Sequence, residues 1–246
     1  AGNSSGGTDI SMTAGDDIVT ASAGTGNLRL GSGAGAAIAS GGNNNVAVGT
    51  NALAANTTAS DNTAVGSYSL DATTTGANNV AVGSAAMGSN TTGASNTAVG
   101  KNSLVANTSG DNNVAVGATA LDANTTGSSN TAVGMNALTS NTTGTTNVAV
   151  GRVALEDATT AVGNTAVGYG AARNTTTGAS NVAIGYLALD ANTTGNQNTA
   201  VGFEAADANT VGVENVAVGY QALSADTQGS KSVAIGRMAL LSQNQT

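Results

Sequence analysis

One pentapeptide pattern, Asn-(Val/Thr)-Ala-(Val/Ile)-Gly, governs what this chain can fold into. It first occurs cleanly at Asn45-Val46-Ala47-Val48-Gly49, with Ala52-Leu53 after the glycine. The glycine returns at Gly66, Gly83, Gly100, Gly117, Gly134, Gly151, Gly168, Gly185, Gly202, Gly219 and Gly236, always 17 residues on, for twelve copies. A fixed period of this kind outranks local propensity, because each copy must be one structural unit stacked on the next. Seventeen residues are too few for a helical-hairpin repeat, and the copies lack the sixfold subperiod of a three-sided hexapeptide helix.

Read by column, four residues before the glycine stands Asn in eleven copies and Ser232 in the last. Stacked side-chain amides form hydrogen-bonded ladders, which accounts for that column. Three before the glycine, Val and Thr alternate from Val46 and Thr63 through Thr199 and Val216, and the pattern breaks only at Val233. The true unit is therefore 34 residues, and duplication of a two-coil unit is the plain explanation. Two before the glycine is always Ala, and one before is Val, or Ile at Ile184 and Ile235. Ala (Ser69 and Ser103 excepted) and then Leu (Met87, Ala172 and Ala206 excepted) follow by three and four. A second glycine column, from Gly76 to Gly229, sits ten residues after the first and usually follows Asn-Thr-Thr, a polar turn where positive φ is available.

Each coil thus reads as strand, glycine corner, second short strand and polar turn. The fold class is all-β: a parallel β-roll solenoid of about twelve 17-residue coils, a rod of roughly 58 Å. Residues 45–246 form the array and residues 1–44 an N-terminal cap or connector. Within the cap, Asp9–Thr13 and Asp17–Thr20 alternate as short strands, and Leu28-Arg29-Leu30-Gly31 is a degenerate coil 18 residues before Gly49. Asp9, Asp16 and Asp17 read as solvated turn acids, since the glycine-rich calcium nonapeptide pattern is absent.

Composition alone points elsewhere. Leu, Ile, Val and Phe make up about 17% of 246 residues, with a net charge of −8, which falls on the disordered side of the usual rule. That rule assumes a globular core, whereas a solenoid buries small side chains by stacking. The chain has no cysteine and no histidine, so it carries no disulfide, thiolate metal site, histidine-ligated metal or Ser-His-Asp triad. Six Lys and Arg against fourteen Asp and Glu, unclustered, argue against nucleic acid. No apolar run approaches the roughly 20 residues of a membrane span, so no membrane insertion by this chain is expected. The start, Ala1-Gly2-Asn3, shows no basic and apolar leader. No cofactor, metal or catalytic residue is expected.

Side chains of a strand alternate between faces. Val/Thr and Val/Ile then point one way and the invariant Ala the other. Two alanine columns imply that the backbone closely approaches another surface, so the expectation is several chains packed along the rod axis through their alanine faces, with the valines in each roll's interior. Each roll would have only a thin core of its own.

The runs Asn-Val-Ala-Val-Gly-x-x-Ala-Leu, and in particular Ser232-Val233-Ala234-Ile235-Gly236-Arg237-Met238-Ala239, resemble the head repeats of trimeric autotransporter adhesins of the YadA type, over about residues 45–241. This resemblance implies a left-handed roll, a homotrimer wound about a threefold axis, and an extracellular adhesive or spacer role on a bacterial surface, toward a host-surface glycan or protein. The 17-residue period is longer and more uniform than that family's head repeats, and no heptad stalk or anchor β-barrel pattern occurs in these residues. Similar repeats resemble segments of bacteriophage tail fibres, so a virion fibre stands beside the adhesin head.

The sharpest local signal is the column directly after the glycine. Its C-terminal third reads Arg152, Tyr169, Tyr186, Phe203, Tyr220, Arg237, which predicts an aromatic ladder with an arginine at each end. It is either a ligand-binding stripe or a packing and subunit contact. Five after the glycine stand Glu156, Arg173, Asp190 and Asp207, with Arg173 expected between two acids in an exposed, weakly stabilising array. Recurrent turn threonines (Thr57-Thr58, Thr91-Thr92, Thr125-Thr126, Thr142-Thr143, Thr193-Thr194) raise ice binding as the alternative function. Asn56, Asn90, Asn107, Asn124, Asn141, Asn174 and Asn192 begin glycosylation-type triplets that read as polar turns. The expected function is a non-enzymatic structural and adhesive fibre.

Overall fold

The computed structural model describes residues 24–241, so the predicted strands and acids of residues 9–20 lie outside the described residues. The chain is a parallel β-solenoid of about twelve turns, with no helix among the described residues. β1 (Leu28–Leu30) is followed by β2 (Val46–Val48), and eleven more three-residue strands recur every 17 residues to β13 (Val233–Ile235). All lie in one sheet in chain order. Neighbours pair in parallel with like columns in register, as in Val46↔Thr63, Ala47↔Ala64 and Val48↔Val65. The 18-residue step from β1 is absorbed without loss of register, Leu28 pairing with Val46.

Each turn holds one strand rather than two. The predicted second strand is instead a turn segment in which the second and fourth residues after the glycine are left-handed in every coil, for example Asn51 (φ 56°) and Leu53 (φ 52°). L-residues rarely adopt this conformation, at about 1–2 kcal/mol each. Hydrogen bonds between coils hold it: Leu53 N donates to Ser69 O (3.0 Å), and Tyr68 N to Thr50 O (2.9 Å). This wall faces the sheet across a core one leucine thick.

The contents of that core reverse the face assignment expected above. The alanines of the strands, from Ala47 to Ala234, are buried, as are those three after the glycine from Ala52 to Ala222. They pack with Leu53, Leu70, Leu104, Leu121 and their equivalents in one continuous cluster. The valines point out: Val82, Val99 and Val133 are each more than a third exposed. Alanine is required because the two walls of one roll approach closely and leucine already fills the space between them. The compulsory smallness is an intrachain demand.

Polar ladders close both ends of this core. Each asparagine before a strand accepts from the next coil's backbone through Oδ1 and donates through Nδ2 to a turn carbonyl. Asn113, for example, receives the Asn130 N–H (3.0 Å) and donates to Gly127 O (2.9 Å). At the opposite end, Asn107, Asn124 and Asn141 donate up a column, each to the amide oxygen of the asparagine before it (2.8–2.9 Å). The second glycine column, Gly76 to Gly229, does not adopt positive φ as expected. It is glycine because a Cβ on Gly93 would meet the Gly110 carbonyl oxygen at 2.6 Å and the Asn90 amide.

Candidate functional site

With the interior complete, function must lie on the outside of the rod. The outward positions of the strands form two parallel columns of β-branched side chains. One alternates Val and Thr, and the other is Val or Ile throughout. Exposure in these columns runs from intermediate to high, reaching 63% at Val233 and 70% at Ile235. The signal that could have placed them outside was the alternation itself. Val and Thr share a shape but not a polarity, and a dry column would leave the hydroxyl without a partner.

Beyond the glycine corner, the structure brings together all six residues of the candidate stripe. Tyr169, Tyr186, Phe203 and Tyr220 stack with ring centroids 5.4, 5.1 and 5.3 Å apart and planes within 13°. Arg152 lies over Tyr169 at 5.8 Å, and Arg237 over Tyr220 at 5.5 Å. The 17-residue register causes the stacking, since one column position repeats at about the strand spacing. The ring faces are taken by one another or by the arginines. The four rings remain 39–45% exposed, so with their faces covered the ladder presents ring edges outward. A sugar ring lying flat on an aromatic face finds no free face along this ladder.

In the charged column Arg173 stands between Glu156 and Asp190 and bonds Asp190 (3.1 Å), the one salt bridge among the described residues, with the acid less exposed than expected. Glu156 instead accepts from Asn136 Nδ2 (3.4 Å). Burial holds the Asp190 carboxyl above the usual range, with Arg173 opposing it. Burial, with Glu204 adding to it, pushes Asp207 up to about 6. No group of acids able to hold a metal forms among the described residues.

The turn residues also resolve. Threonines from Thr57 to Thr210 form an unbroken column in which each hydroxyl donates to the next coil's carbonyl, as Thr108 does to Thr125 O (3.0 Å). Of the glycosylation-type asparagines, Asn90, Asn107, Asn124, Asn141 and Asn192 are buried ladder members, and Asn56 is buried with its side chain bonded to its own turn at Ala59. Asn174 donates Nδ2 to Asp190 O (2.8 Å). In the folded rod these amides are structural groups rather than surface acceptors.

No helix among the described residues is long and apolar enough to cross a membrane. No known family model matches the chain, and no curated protein matches it either.

Proposed function

We propose that this chain is a non-enzymatic structural module, a stiff rod that associates in parallel with copies of itself and carries surface-attachment sites outward. The observation that supports it is the valine face. Two columns of β-branched side chains over twelve coils make a strip roughly 58 Å long and about 10 Å wide. That is on the order of 600 Å², the upper end of the largest patch a soluble monomer leaves in water, and patches of that size are often interaction surfaces. A trimeric, left-handed arrangement follows the resemblance to YadA-type adhesin heads and to phage tail fibres, and with it an extracellular place on a bacterial surface or virion. Several rods held together would present each weak contact to a host-surface glycan or protein in multiple copies, which raises avidity without new chemistry. The aromatic ladder then stiffens the C-terminal third and lies where neighbouring rods meet.

The test is the pair Val116→Asp and Val133→Asp, made together. The expected result is dissociation to monomers with the β circular dichroism retained. An assembly unchanged in mass would count against the proposal.

A second reading, ice binding, draws on the outer turn column, where Thr58, Thr75, Thr92, Thr126, Thr143, Thr160, Thr177 and Thr194 are exposed. It is weaker. The adjacent threonine hydroxyls are spent within the rod, and the pair sits in a bend rather than on the flat sheet. Thermal hysteresis well above that of an unrelated protein would favour it over the fibre.

A further inference from the structure

We propose that the Val/Thr alternation is a register key, by which parallel copies of this chain dock through the valine face only at matched heights. This rests on the association proposed above.

Nothing inside the rod has a two-coil period. The inward strand column is Ala throughout, and the residue before each glycine is Val or Ile without alternation. Only the outward Val/Thr column toggles, from Val46 through Val216. A 34-residue period that the single rod does not need is set from outside, and a second copy of this chain is the partner that shares both the period and the rise per coil.

The hydroxyls point the same way. Thr63, Thr97, Thr131, Thr165 and Thr199 make no side-chain hydrogen bond among the described residues, whereas the turn threonines donate to the next coil. The face threonines therefore contribute nothing polar to their own rod. Brought against an equivalent rod at the same height, threonine meets threonine, and the two hydroxyls can bond across the contact. A slip of one coil, about 4.8 Å, buries five hydroxyls per chain against valine methyls.

On a uniform valine strip such a slip would give up only one coil of contact in twelve, so apolar packing alone specifies register poorly. Polar residues set at intervals in an apolar seam fix alignment at some expense of affinity, as a buried asparagine does between paired helices. The alternation also leaves two-coil slips as the nearest permitted error.

The experiment inverts the phase in one half of the array while keeping the composition. Thr63→Val and Thr97→Val are combined with Val80→Thr and Val114→Thr, so that no single offset from the natural chain matches both halves. The inverted chain, carrying a mass tag, is refolded together with the natural chain and the products are weighed by native mass spectrometry. The expected result is that each chain assembles with itself, and that mixed oligomers are depleted at least about tenfold from the random share, a factor equivalent to about 1.4 kcal/mol. A companion chain with only Thr→Val changes, at all five face threonines, has no key of its own and should assemble with itself into heavier, staggered species. Random mixing of natural and inverted chains overturns the key while leaving association intact. An inverted chain that stays monomeric while the natural one assembles also overturns it. If the natural chain itself stays monomeric, the underlying association fails and the key with it.

Discussion

Gly117→Ala probes the corner on which every coil turns. Gly117 sits at φ 134°, a region that only glycine occupies readily, and forcing alanine there takes about 1–3 kcal/mol. The new Cβ would also stand 2.5 Å from the Gly134 carbonyl oxygen and 2.6 Å from its carbon. Both are backbone atoms of the next coil and cannot swing aside. Separating the coils there strains the Gly134 N–H to Val116 O bond (2.7 Å) and the Asn136 N–H to Ala118 O bond (3.2 Å), at about 1 kcal/mol each. The sum is roughly 3–5 kcal/mol, a large part of a domain's stability. Gly163→Ala supplies the control. It shares a positive φ of 70° but would meet only the Ser180 hydroxyl at 3.8 Å, so about 1 kcal/mol is expected. Equilibrium urea unfolding followed by circular dichroism reads both. Because coils contact only their neighbours, Gly117→Ala should also split the transition as the two halves uncouple. A loss below about 1 kcal/mol, or equal losses at the two glycines, would refute the reasoning that inter-coil contact, rather than φ alone, demands glycine at the corner.

Other consequences are testable in the same way. Ala158 interrupts the buried asparagine column and leaves Asn141 Oδ1 without a partner. Ala158→Asn should restore the ladder and stabilise by about 1 kcal/mol, a gain that thermal melting would register and that an unchanged or lower Tm would deny. Asp207 has a folded pKa of about 6 against 3.8 ordinarily, so its proton is held more tightly in the folded state. Its destabilising effect is absent below the lower value and complete above the higher. Stability should therefore fall as pH rises from about 4 to 6, by on the order of 1 kcal/mol after solvent screening of this half-exposed group. Asp207→Asn should remove that slope in parallel urea titrations, and a slope that persists would assign it to another group. Tyr186→Ala breaks the ring stack in the middle and should cost about 1–2 kcal/mol. The near-ultraviolet circular dichroism of the coupled rings should drop with it, and an intact spectrum would mean that the rings are not stacked in solution.

What the sequence displayed were column properties. The 17-residue spacing alone gave the count of coils, their parallel pairing and the like-on-like register of Val48 with Val65. It also placed Tyr169, Tyr186, Phe203 and Tyr220 in one stack with Arg152 and Arg237 over its ends. Facing was less legible. A strand of Val-Ala-Val has a small side and a large side, and nothing in three residues says which is dry. The deciding fact is the distance to the opposite wall, which depends on Leu53 and its equivalents sitting at left-handed positions. Leucine carries no signal for that conformation, because hydrogen bonds to the next coil impose it. The second glycine column misled for a related reason: glycine marks either unusual φ or missing space, and Gly93 turned out to be the latter. In the charged column, ladder spacing placed Arg173 between two acids but did not choose its partner, which is Asp190.

The most direct measurement of the central claim is the mass of the native assembly by sedimentation equilibrium at micromolar concentration. The account predicts three times the 23.2 kDa chain mass, independent of salt because the contact is apolar rather than ionic. A single 23.2 kDa species, stable with its valine face in water, would contradict it.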